Sequence, residues 1–159
     1  WDERWEEFSN LAEKGQKIKN ELLKLVDEDT NAFNKIMSAF SLPKTSDEEK
    51  KARTQAIQDA KKYATEVPSK VMELTFESME IIQAMAEEGN PNSVSDSGVG
   101  ALCARSAVMG AFLTVKINGA GLTDKKFATD IIERGRTIEE KTKESETKIL
   151  SIVNSKIQN

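Results

Sequence analysis

Apolar or small residues recur at Trp1, Trp5, Phe8, Ala12, Gly15, Ile18, Leu22, Leu25, Val26, Phe33, Ile36, Met37 and Phe40, three or four positions apart for most of the run, as on one face of a helix. This pattern predicts a single long helix ending near Phe40. Gly15 is its weak point, because glycine in a helix interior costs about 1 kcal/mol relative to alanine. Ser41-Leu42-Pro43-Lys44 stops it, since proline disfavours the α region in the residue before it. Ser46-Asp47-Glu48-Glu49 reads as a capping box. It opens a second helix with Ala56, Ile57, Ala60, Tyr63, Ala64 and Val67 facing inward, which Pro68 is expected to end or kink. A third helix carries Val71, Met72, Leu74, Phe76, Met79, Ile82 and Met85 and stops at Gly89, a residue suited to the left-handed position after a helix.

The polar run Gly89-Asn90-Pro91-Asn92-Ser93-Val94-Ser95-Asp96 follows, with Ser95 or Asp96 as the expected N-cap of a fourth helix. That helix, over 97–118, is small and apolar almost all round, so it is expected to be buried on most sides. Gly119-Ala120-Gly121 closes it. Thr123 is the expected cap of a fifth helix, whose inward residues are Phe127, Ile131, Ile138, Ile149 and Ile152. No strand pattern, hairpin dipeptide or repeat appears. The expected fold is all-α: an antiparallel bundle of about five helices around the small-residue helix 97–118. A membrane-spanning role for that helix is disfavoured by Arg105 and Lys116, because a central arginine costs about 2.5 to 3.5 kcal/mol on insertion.

Composition narrows the chemistry. The 159 residues include no histidine, which excludes Ser-His-Asp and Cys-His machinery and His-ligated zinc. Acid/base work is left to carboxylates, amines, hydroxyls or water. With 23 basic and 27 acidic residues the net charge is −4, and the bases are interleaved with acids. A nucleic-acid surface would need them clustered in excess. The lone Cys103 makes an internal disulfide impossible and suits a reducing cytoplasm. Flanked by Leu102 and Ala104, it reads as a small core residue, and Met72, Met79 and Met85 read as core filler.

Asp29 departs from this pattern. At about 100° per residue with Leu22 as zero, Leu25, Val26, Phe33, Ile36 and Phe40 all fall within about 60° of the origin, and Asp29 lies near −20°. Asp27, near +140°, is a solvated acid, as are Glu21 and Glu28. A carboxylate inside an apolar stripe is expected to be buried, and must be paired, hydrogen-bonded or neutralised. Two roles fit: a general acid/base, or an acid paired with a base from another helix, for which Arg105 is a candidate. The 89–96 loop is a second candidate, because its amides, hydroxyls and Asp96 precede a helix whose first N–H groups are unpaired. A plain capped connection explains the same composition. Gly98 and Gly100 would admit another backbone or a flat ligand at the helix start. The Trp1/Trp5/Phe8 face is apolar enough to be covered by further chain or a second subunit.

Leu25-Val-Asp-Glu-Asp-Thr-Asn-Ala-Phe33, Leu42-Pro-Lys44, Glu48-Glu-Lys50, Val67-Pro68, the run Gly89 to Ala101, and Gly110-Ala-Phe-Leu-Thr-Val-Lys-Ile-Asn118 occur in that order. In this combination the chain closely resembles the formiminotetrahydrofolate cyclodeaminase/methenyltetrahydrofolate cyclohydrolase family over nearly its whole length. The resemblance implies a helical homodimer acting on a one-carbon unit carried by tetrahydrofolate, with the site near the subunit interface. It implies no cofactor, no metal, no nucleic acid and no membrane, and it suits the cytoplasm. Through the Val-Asp-x-Asp-x-x-Ala-Phe pattern it assigns the catalytic aspartate to Asp29. Asn90, Ser95, Asp96 and Asn118 match positions expected to line the folate pocket, and Lys44 is placed near the folate glutamate tail.

There are two departures. The family domain normally starts with an earlier helix and a Pro-Gly-Gly-Gly-Ser-like segment, so residues 1–159 are expected to form one domain without that segment. Thr114 also stands where many relatives carry asparagine. The expected activity is the cyclodeaminase reaction, with the cyclohydrolase as the alternative and a non-catalytic helical dimerisation module as the alternative of another class.

Overall fold

The computed structural model describes residues 2–157. They form four α-helices, α1 (Trp5–Phe40), α2 (Asp47–Glu88), α3 (Val94–Ala120) and α4 (Lys125–Ile157), with three-residue 3-10 turns at Asp2–Arg4 and Pro91–Ser93. There is no strand among the described residues. The all-α expectation holds, with four long helices in place of about five. The difference lies at Pro68, which sits inside an unbroken α2. Likewise α1 passes through Gly15 without a break.

The helices alternate in direction. Arg4 meets Glu88 at 2.6 Å, joining the start of α1 to the end of α2. The Arg53 guanidinium donates to the Phe40 carbonyl at 3.0 Å and joins their opposite ends. Asp124 lies 3.7 Å from Lys62, so α4 begins beside the middle of α2. α2 is the helix that all the others touch, and it holds the central place expected for 97–118; α3 lies on α2 and α4. Two clusters fill the space between these three helices, one around Met72, Val108, Phe112 and Ile131 and one around Met79, Ala101, Ile149 and Val153. α1 rests on α2 through smaller contacts of Ala32 with Ala64 and Val67, and of Ala39 with Ile57 and Ala60.

The local signals were met unevenly. Ser46 and Glu49 form the reciprocal capping box. Gly89 has φ −73°, not the left-handed value expected of it. The start of α3 is set by a turn at Pro91–Ser93, so Ser95 and Asp96 stand in its first turn and do not cap it. Asp124, not Thr123, accepts from the Phe127 N–H at 3.0 Å and opens α4, while Thr123 bonds Gln58. Cys103 is exposed and is not a core residue. Of the expected aromatic face, Trp5 is exposed, Phe8 is half-buried and Trp1 lies outside the described residues.

The larger correction concerns how much apolar surface the chain covers by itself. On α1 the buried and half-buried Ile18, Leu25, Ala32, Ile36 and Ala39 centre near −60° on the scale used above, whereas Val26, Phe33, Met37 and Phe40 centre near +30°. This second set is exposed, Val26 at 64% and Phe33 at 61%. α3 also keeps an exposed face, with Val99, Leu102, Met109, Leu113 and Ile117 on it.

Two outcomes follow for stability. A Cβ on Gly135 would lie 2.7 Å from the buried Phe112 ring. Gly135→Ala should therefore lower stability by about 1 to 3 kcal/mol in urea titrations, despite the helix propensity gained. The Glu49 carboxylate accepts from the Ser46 and Thr45 N–H groups, which hold its pKa below the ordinary 4.5. The ionised form is thus favoured by folding, so its contribution is present above the unfolded value and lost as pH falls through the folded one. The Tm difference between the native protein and Glu49→Gln should accordingly shrink as pH drops below 4.5.

Candidate functional site

Proline lacks an N–H, so Pro68 leaves the carbonyl of Ala64, four residues earlier, without its usual helical donor. Asn118 supplies one: its side-chain amide donates to that carbonyl at 2.8 Å. Asn118 is half-buried at the end of α3, and its amide oxygen is left to accept from another group. Ala64 also touches Ala32 of α1, which brings three helices together at one level. Beside it, the Tyr63 hydroxyl donates to the Glu28 carboxylate. The Lys35 ammonium stands 3.8 Å from the centre of the Tyr63 ring. Asp29, next to Glu28, belongs to this level of the bundle.

Asp29 is exposed in the isolated chain, contrary to the buried setting expected for it. The helical phase was right about its neighbours and wrong about what covers them. Near −20°, Asp29 stands on the border between the arc that α2 buries and the arc left open. Arg105 is not its partner. The Arg105 guanidinium lies 3.5 Å from Glu146 and 3.9 Å from Glu139, both on α4, and its side chain is only 15% exposed. That cluster ties α3 to α4.

Asn90, Ser95 and Asp96 are at the far end. The Asn90 side chain accepts from the Asn92 N–H at 3.0 Å and shapes the turn before α3. Asn90, Ser93 and Asp96 rim an open groove of about 450 Å³ whose floor is Ile81, Ile82 and Met85. A second apolar groove, under Trp5, Phe8 and Leu11, shares Ile81 and Met85 with it. Gly98 serves packing, since a Cβ there would meet Val153 at 3.3 Å. Ala64 and Met85 are 21 residues apart on α2, about 32 Å at 1.5 Å per residue. Within one chain, therefore, Asp29 and Asn118 share one level and Asn90, Ser95 and Asp96 share another. Lys44 joins neither group: it is exposed in the turn between α1 and α2. Sequence reasoning did not find Tyr63, Glu28 and Lys35 beside Asp29. The available signal was a proline in an otherwise helical run, which calls for an outside donor.

A fold of this kind, long antiparallel helices with a polar turn before an apolar helix, matches a solved structure of formiminotetrahydrofolate cyclodeaminase from Thermotoga maritima. The TM-score is 0.84 at 22% identity, over 99% of this chain and 74% of that one. A family model described as Formiminotransferase-cyclodeaminase matches residues 1–137, and the chain belongs to that family. A methenyltetrahydrofolate cyclohydrolase of Methylorubrum extorquens is 37% identical over 124 residues, 78% of this chain and 60% of the relative. The formimidoyltransferase-cyclodeaminase of Gallus gallus is 34% identical over 134 residues, 84% of this chain and 25% of the relative. The chain thus spans less than two-thirds of the length of both curated relatives.

The Pro68 relation yields a double-mutant cycle. Asn118→Ala should cost about 1 to 3 kcal/mol in urea denaturation, because it leaves a buried carbonyl unsatisfied. In a Pro68→Ala background the backbone regains an N–H for that carbonyl, so the cost of Asn118→Ala should shrink.

Proposed function

We propose that the protein acts on a one-carbon unit carried by tetrahydrofolate, as a formiminotetrahydrofolate cyclodeaminase with Asp29 as general acid/base. Family membership over residues 1–137 carries this reading. N10 of 5-formiminotetrahydrofolate attacks the formimino carbon, and its proton passes to the Asp29 carboxylate. The same carboxyl returns a proton to the amino group of the tetrahedral adduct. Ammonia leaves, and 5,10-methenyltetrahydrofolate remains. The cycle transfers only protons and one leaving group, so it calls for no cofactor or metal. Absence of histidine leaves this work to a group such as a carboxyl.

Other features fit a folate. The groove over Ile81, Ile82 and Met85 has an apolar floor for a flat heterocycle and a rim of Asn90, Ser93 and Asp96 for its hydrogen-bonding edge. The free amide oxygen of Asn118 is a further acceptor, and Lys44 offers a cation for a glutamate tail. The reading includes a cytoplasmic homodimer that engages neither nucleic acid nor membrane.

The cyclohydrolase is the second reading, favoured by the printed name of the Methylorubrum extorquens relative. There, water attacks the methenyl carbon of 5,10-methenyltetrahydrofolate. One experiment separates the possibilities: the complete protein is given each folate in turn, while methenyltetrahydrofolate absorbance and ammonia are followed. Gain of absorbance with ammonia from the formimino substrate supports the deaminase, and loss of absorbance from methenyltetrahydrofolate supports the hydrolase. Neither change in a folded protein leaves a non-catalytic helical module. Asp29→Asn should lower kcat about 10² to 10⁴-fold, the range for a lost acid/base, with little change in Tm because the side chain is exposed. Full activity in that variant refutes the assigned role.

A further inference from the structure

The exposed face of α3 is self-complementary. At about 100° per residue, Val99, Leu102, Ser106, Gly110, Leu113 and Ile117 lie within about 40° of one line along the helix, and all are exposed. No charged residue stands on this face between Asp96 and Lys116, and Ser106 is midway between those two. An antiparallel copy of α3, related by a two-fold axis at Ser106, sets Leu102 opposite Gly110 and Val99 opposite Leu113. Large meets small at the first pair. The same symmetry brings Asp96 of each copy to the level of Lys116 in the other, so the only charges at the two ends of the face are of opposite sign.

This register bears on the separated site residues. Val94 falls at the level of the partner copy's Asn118, and Ser95 at that of its Ile117. The turn that holds Asn90 and the first turn of α3 therefore arrive beside the end of α3 that is bonded to Ala64. The gap of about 32 Å within one chain closes between two.

We propose that two copies of this chain pair antiparallel through α3 about Ser106, and that each site is composite, with Asp29 and Asn118 from one copy and Asn90, Ser95 and Asp96 from the other. The composite site rests on the folate reading above, whereas the pairing does not. A lipid bilayer is the competing cover, because Pro91–Ala120 is long and apolar enough to cross one and only a third of its most apolar stretch is buried. The rest of α3 favours a second copy. Its other side holds Arg105 between Glu139 and Glu146, and the charged outer surface of α4 would have to enter the lipid.

Three measurements on the complete protein test this. In a Cys103→Ser background, Ser106→Cys should oxidise to a disulfide-linked dimer, since residues facing each other on the axis of a close helix pair come within disulfide reach. Val99→Cys in the same background should not, because its copies lie on opposite sides of the axis. Light scattering should give twice the chain mass for the native protein and the single mass for Leu113→Glu at unchanged helix content. A native monomer, binding of the native protein to phosphatidylcholine vesicles as a monomer, or equal cross-linking at 99 and 106 overturns the pairing.

For the site, Asp29→Asn and Asp96→Asn are each expected to be inactive. Co-expressed in equal amounts, they should recover about a quarter of native turnover, since half the dimers are mixed and each mixed dimer has one intact site. No recovery in a mixture shown to contain mixed dimers, or full activity in either single variant, overturns the composite site. A native protein that converts neither folate refutes the folate reading and leaves the cross-linking result to stand alone.

Discussion

The bond from the Asn118 amide to the Ala64 carbonyl is the constraint on which the rest of the bundle depends. A proline at position 68 deprives α2 of one rung of its ladder and crowds the carbonyl before it. Without an outside donor, the helix would pay for a buried unsatisfied oxygen at its midpoint. With Asn118 in place α2 runs unbroken from Asp47 to Glu88, and it is this length that allows α1, α3 and α4 all to rest on one helix. The bond also fixes the register of α3 against α2, because a side chain that must reach one particular carbonyl cannot slide by a turn. Everything that α3 carries, including the polar turn at its start, is positioned from that point.

Much of this was legible in the sequence, for physical reasons that differ from element to element. Apolar spacing of three and four marks long helices strongly, so the extent of α1 and the all-α class could be read directly. The Ser46–Glu49 box was legible because its two hydrogen bonds are local and depend on residue types at fixed spacing. Pro68 misled because the intrinsic preference of proline is local, whereas its remedy lies 50 residues away in Asn118, and local reasoning cannot see a distant donor. Gly89 misled for a similar reason: the following Asn90-Pro91 turn leads the chain away through extended backbone, with no need for a left-handed residue.

Asp29 shows the limit most clearly. Periodicity finds an apolar arc but does not say which part of it faces the same chain. On α1 that arc is wider than one neighbouring helix can cover, so Ala32 and Ala39 are buried while Phe33 and Phe40 are not. α3 has the same surplus, as its nearly uniform apolar circumference implied. A residue that looked central to a buried face in sequence therefore stands at a border in space. The candidate residues were readable one by one, but their separation was not, because it follows from the direction of α2 and not from any motif.

The mounting of α1 has a separate consequence for dynamics. Among the four helices it alone rests on a single neighbour, and its contacts are the small side chains Ala32 and Ala39 with a few larger partners. α2, α3 and α4 by contrast enclose two continuous clusters. Helices held by few apolar contacts open at lower free energy than the global transition. The backbone amides of α1 are therefore the ones to exchange first with solvent deuterium, as one cooperative unit, while the three-helix body stays closed. Asp29 rides on that unit, so mild destabilisation removes the candidate acid from its surroundings before it unfolds the groove that would hold the ligand.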